Sequence, residues 1–119
     1  MATVPKKMVQ GVQLTTSAAQ LDSYAVPANT SAKVFEIVLH NTHTAPVGVD
    51  LYFVESGGSA GVTNQVFGYN GSDGLVLSPD ETQIYNMEEV LEAGAKIFGA
   101  ASVTSVVTVR ISGIHITGT

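Results

Sequence analysis

Two neighbouring segments, Lys33–His40 and Val47–Val54, each alternate side-chain character with a period of two residues. Only an extended strand puts every second residue on one face, so this period fixes the local structure before anything else does. In the first segment Phe35, Ile37 and Leu39 share a face, opposed by Val34, Glu36, Val38 and His40. In the second, Val47, Val49, Leu51 and Phe53 oppose Gly48, Asp50, Tyr52 and Val54. Between them Asn41-Thr42-His43-Thr44-Ala45-Pro46 reads as a hairpin connection, with Pro46 at the mouth of the next strand, where it loses no ladder bond. Composition agrees: 17 Val, 6 Ile and 12 Thr make 35 of the 119 residues β-branched, a stock that fits pleated surfaces.

The same pattern predicts further strands at Gly11–Thr16, Gly74–Leu77, Gln83–Met87, Ala95–Ala101 and Val106–Thr117. Gly57–Gly61 and Asn70–Gly74 are turn clusters, and Met87–Ala93 (MEEVLEA) has the content of a single helical turn. In the last strand Val107, Val109 and Ile111 keep one phase while Ile114 and Ile116 take the other, which predicts a bulge or bend at Ser112-Gly113. The expected fold is all-β: a single-domain antiparallel β-sandwich, jelly-roll-like, of about eight strands. Residues 24–119 form the sandwich, and residues 1–23 an N-terminal arm and first strand. Two separate cores would leave each with about 60 residues, where a core is marginal.

Charge narrows the partners. Only 13% of residues are charged, and the 62 residues between Lys33 and Lys96 hold no Lys or Arg but nine of the ten acids. Nucleic-acid binding draws its affinity from clustered cations, which this chain lacks, so no nucleic-acid partner is expected. No apolar run approaches a membrane span, and Lys6 and Lys7 are followed by no apolar stretch of a secretory signal. With no Cys there is neither a disulfide framework nor a thiolate nucleophile or ligand.

Catalytic and metal chemistry find little to use. His40 and His43 are the one possible metal pair, but zinc needs three or four ligands and none flanks them closely, so both read as turn residues. His115 alternates with Ile114 and Ile116 and points away from their face. Glu88 and Glu89 are adjacent, and adjacent residues of an extended chain face opposite ways, so they form no acid/base dyad. Asn70, Ser72 and Asp73 offer oxygen atoms but too few carboxylates for a calcium loop. No catalytic residue, cofactor or metal is expected, and no turnover. A glycan surface would rest on Tyr24, Tyr52, Tyr69 and Tyr85, because the chain has no Trp. Tyr69 lies among polar turn residues and Tyr52 opposes the Leu51/Phe53 face; with Lys6 and Lys7 of the arm they are the candidate interface residues. Removing residues 1–10 is expected to leave the sandwich folded and to weaken assembly.

The runs VPANTSAKVFEIVLHNT, VDLYFV, LSPDET, VLEAGAKI and VTVRISGIHI follow one another across residues 24–117. In that order of corners and strands the chain resembles small all-β virion accessory proteins of tailed bacteriophages. The resemblance implies a structural protein located in the virion, one that decorates or cements the capsid or occupies the neck, tail or fibre base. It implies protein partners: further copies of itself, with a homotrimer expected, and the major capsid protein or another virion protein. The other reading it leaves open is a glycan- or receptor-binding module of a phage head or tail.

Overall fold

The computed structural model describes residues 2–61, 63–67 and 75–117. Among them the chain forms nine strands: β1 (Ala2–Gln13), β2 (Ala19–Ala25), β3 (Thr30–Asn41), β4 (Val47–Val54), β5 (Gln65–Phe67), β6 (Val76–Leu77), β7 (Thr82–Leu91), β8 (Lys96–Ala101) and β9 (Val107–Thr117). They make two antiparallel sheets, β1-β9-β3-β7 and β2-β8-β4-β5, with β6 also pairing β4. The pairing is nested: first strand with last, second with second-last, and so inward to β4, whose free edge takes β6 at Val47–Gly48 and β5 at Leu51–Tyr52. This is the wrapping of a jelly-roll sandwich. One apolar core lies between the sheets, with Ile37, Leu39, Val109 and Ile111 from the first meeting Leu51, Val49 and Ile97 from the second.

Four sequence expectations are corrected by this arrangement. The stretch expected to be an arm lies along β9 from Ala2 onward, and Met8 and Val9 are core residues. The cause is burial: Met8 and Val9 cover apolar surface that an arm would leave wet. In β3 the predicted faces hold only after residue 36, because Phe35 is an extra residue between Val34 and Glu36. The bulge turns Phe35 outward and puts Val34 in the core beside Ile37. MEEVLEA is no helical turn: residues through Leu91 continue β7, and ladder bonds to β3 outweigh the helix propensity of Glu and Leu.

The fourth correction concerns Gly113. No bulge is seated in β9 there; instead both neighbours bulge opposite it, β1 at Met8 and β3 at Phe35. The inward phase runs on through Gly113, so Ile114 and Ile116 face outward. Gly113 is required by close approach: a methyl group on it would overlap the Lys33 carbonyl oxygen and lie 2.9 Å from Met8 Cε.

Polar side chains fasten the corners. Asn41 is fully buried; its Nδ2 donates to the carbonyls of Ala45, Leu77 and Ser78, each at 3.1 Å, and its Oδ1 accepts the His43 N–H at 2.8 Å. One side chain thereby ties the β3–β4 turn to the corner that leads into β7. Glu81 closes that corner by accepting the Ser78 N–H at 2.7 Å, and this hydrogen bond holds its carboxyl below the usual carboxylate range. At the β1/β2 side the edges of the two sheets are linked where the Gln10 N–H donates to Asp22 Oδ2 at 3.2 Å.

Candidate interaction surface

The outer face of the four-stranded sheet is built from cross-strand rows, since residues opposite one another in a ladder share a face. Successive rows read Pro5–Ile114–Lys33–Val90, Lys7–Ser112–Glu36–Asn86, Gln10–Arg110–Val38–Ile84 and, over the last three strands, Thr108–His40–Thr82. Apolar and charged residues are interleaved, and Ile84 and Val90 stand 56% and 55% exposed on β7. The bulged Phe35 is exposed on this side as well. Between the rows runs a groove of about 570 Å³ lined by Lys7, Gln10, Glu36, Val38, His40 and Arg110, among others. Among the described residues Lys7, Glu36 and Arg110 make no ion pair, so the groove offers charges of both signs to a partner.

The residues singled out from the sequence fall apart in space. Lys6 and Lys7 are exposed on the N-terminal half of β1, an edge strand. Tyr52 lies on the other sheet's outer face, directly across from Phe98, whose other neighbour is Gln20. Beside this aromatic pair the nearly buried Asp50 accepts a hydrogen bond from Gln65 Nε2 at 2.8 Å. Tyr69 and the Asn70, Ser72 and Asp73 cluster lie outside the described residues.

The histidines serve structure. His40 Nδ1 meets Thr82 Oγ1 at 2.7 Å and its Nε2 lies 3.3 Å from the exposed Asp80 carboxylate, while the His43 backbone is held by Asn41. Among the described residues no group of three His, Asp or Glu could hold a metal ion. Glu88 and Glu89 are both exposed on β7, at a register shift where Glu89 pairs with Val34 and Glu88 is skipped by the ladder to β3.

His115 faces inward, as the alternation predicts, and its Nε2 lies 2.7 Å from the Tyr24 hydroxyl. That contact joins β2 of one sheet to β9 of the other. Burial pushes the Tyr24 phenol up to about 12, and burial together with the nearby Lys6 charge holds the His115 imidazolium below its ordinary range. Both groups therefore sit neutral near pH 7, and the contact is a hydrogen bond between two uncharged partners. A histidine whose folded pKa is lowered takes up its proton more readily when unfolded, so stability falls as pH drops through about 6.5. Thermal melts from pH 8 to pH 5 should show this fall. Tyr24→Phe should cost about 1 kcal/mol at pH 7, the net worth of one buried hydrogen bond. An unaltered melting temperature for Tyr24→Phe would remove the cross-sheet bond from the account of stability.

Sequence reasoning missed the apolar, acidic β7 edge and the position of Arg110 in the groove. The signal for β7 was present as Ile84, Asn86, Glu88 and Val90 at even positions, but the run of Met, Glu and Leu reads as helical by propensity.

No protein-family model and no curated protein matches the chain. Among solved structures, a chain from the structure of infectious bursal disease virus, Gx strain, superposes over 98% of this chain with a TM-score of 0.57 at 13% identity. A chain from the Gt strain of the same virus covers 96% of this chain with a TM-score of 0.44, also at 13% identity. This chain spans about a third of the length of the virus chains it matches. At that identity the likeness is one of fold: an all-β sandwich of the kind present in a virus structure.

Proposed function

We propose that this protein is a structural component of a virus particle, and in the finer reading a capsid decoration or cement protein of a tailed bacteriophage. It acts through protein–protein contacts, with copies of itself as a homotrimer and with the major capsid protein or another virion protein, and it carries out no turnover. The observation that carries the reading is the outer face of the four-stranded sheet, where exposed Ile84, Val90 and Phe35 stand beside Lys7, Lys33, Glu36 and Arg110. Such a face suits burial against a partner that covers its apolar residues and pairs its charges. The fold likeness to a chain of a virus structure and the sequence resemblance to phage virion proteins support it. A lattice also multiplies weak contacts by avidity, so a modest interface per copy suffices.

The test is sedimentation of the purified protein with particles that lack their own copy, followed by thermal rupture of the loaded particles. Saturable binding and a higher rupture temperature are expected; absence of both would overturn the reading. A glycan-binding module is the second reading, favoured by the Tyr52–Phe98 pair beside Asp50 and Gln65. A glycan array with wild-type protein and Tyr52→Ala separates it, because sugar binding lost on removing Tyr52 would favour that reading.

A further inference from the structure

Charge is graded across the four-stranded sheet in strand order. β1 carries Lys6 and Lys7 and β9 carries Arg110, with no acid on either; β3 carries Lys33 and Glu36; β7 carries Glu88 and Glu89 and no base. The corners that flank β7 add Asp80, Glu81 and Glu92. The uneven placement of charge along the chain thus becomes a basic edge and an acidic edge of one sheet, because the nested pairing sends both ends of the chain to β1 and β9.

Direction and register make these edges complementary. Every neighbouring pair in the sheet is antiparallel, so β1 and β7, three strands apart, run in opposite directions. A second copy set beside the first, with strands aligned, therefore brings its β1 antiparallel to β7. The rows then match without a shift: Lys6 lies in line with Glu89 through Gly113 and Val34, and Pro5 lies in line with Val90 through Ile114 and Lys33. Side by side, Lys6 of one copy faces Glu89 of the next, and the exposed Pro5 faces the exposed Val90. Glu88, next to Glu89 on this edge, is exposed as well.

We propose that copies of this chain associate edge to edge, the basic β1 edge of one against the acidic β7 edge of the next. The occupant of the β7 edge is a second copy, on the strength of this charge and row complementarity. The contact is heterologous, and it closes into the homotrimer proposed above when successive copies are rotated by one third of a turn about an axis along the strands. The proposal rests on the self-association in the reading above and needs no virus particle. It also gives the β7 edge, with its exposed Ile84 and Val90, the cover that an open edge strand otherwise lacks.

The experiment is sedimentation velocity of pure wild-type protein, of Lys6→Glu/Lys7→Glu, of Glu88→Lys/Glu89→Lys, and of an equimolar mixture of the two variants. All four positions are exposed, and circular dichroism of each variant establishes that it folds. Wild type should form a discrete oligomer that weakens at least tenfold in about 1 M salt, where charges are screened beyond about 3 Å. Each variant alone should be monomeric, since its two edges then carry like charge, and the mixture should form a complex containing both chains. A monomeric wild type, an oligomer indifferent to either reversal, or variants that fail to combine would each overturn the proposal. Particle binding by a wild-type monomer would sink the edge contact and leave the virion reading standing.

Discussion

A chain lacking residues 1–10 is expected to lose cooperative folding, or to melt at least about 10 °C below the intact protein. The stretch supplies Met8 and Val9, which are 2% and 1% exposed, and burying two such side chains is worth roughly 3–6 kcal/mol in all. That is a large share of the roughly 5–15 kcal/mol that holds a domain together. The loss is compounded along β9, which would surrender most of its ladder to β1 and become an edge with Val109 and Ile111 less covered. Asp22 would also lose the Gln10 N–H that links the two sheets. Far-ultraviolet circular dichroism with a urea titration measures the effect. A truncated chain with the melting temperature of the intact one would return these residues to the role of a dispensable arm.

The sequence made that arm plausible for a physical reason. Ala2–Lys7 lies on an edge strand with little buried area, so its side chains show no alternation to read. Among residues 2–10 only Met8 and Val9 are buried, and a bulge at Met8 puts these two consecutive residues in the core. A period of two cannot signal such a pair. Where strands lie inside a sheet the reading was sound: Val47–Val54 is β4 to the residue, and the sandwich class follows from strands of this kind. Phe35 fails for the same reason as Met8, because a bulge shifts the phase and leaves no mark in composition.

The surface was harder to read than the core. That acids crowd the middle of the chain and bases its ends was visible at once, but it became an edge-to-edge gradient only through the nested strand order. Pairing of β1 with β9 is a contact between residues more than a hundred positions apart at its far end, such as Ala2 with Thr117. No local pattern encodes it. The interface candidates split accordingly: Lys6 and Lys7 sit on a free edge, while Tyr52 lies on the opposite sheet beside Phe98.

Replacing Gly113 should be the most damaging single change considered, and the pattern among substitutions identifies its cause. The first atom of any side chain there would overlap the Lys33 carbonyl oxygen, which belongs to the backbone of β3 and is held in ladders on both sides. Met8 Cε is also close, but a methionine tip can swing away. Because the clash is at Cβ, Gly113→Ala should already cost about 3 kcal/mol, and Gly113→Val somewhat more. Gly99 provides the contrast: a methyl there would lie 2.9 Å from Leu14 Cδ2 and 3.2 Å from Leu21 Cδ1, flexible tips that can yield. Gly99→Ala should therefore cost only about 1 kcal/mol, and Gly61→Ala, with open space around it, close to nothing. Urea midpoints of the three alanine variants at pH 7 give the comparison. Equal midpoints for Gly113→Ala and Gly61→Ala would show that β3 and β9 do not approach as closely as the paired bulges of β1 and β3 require.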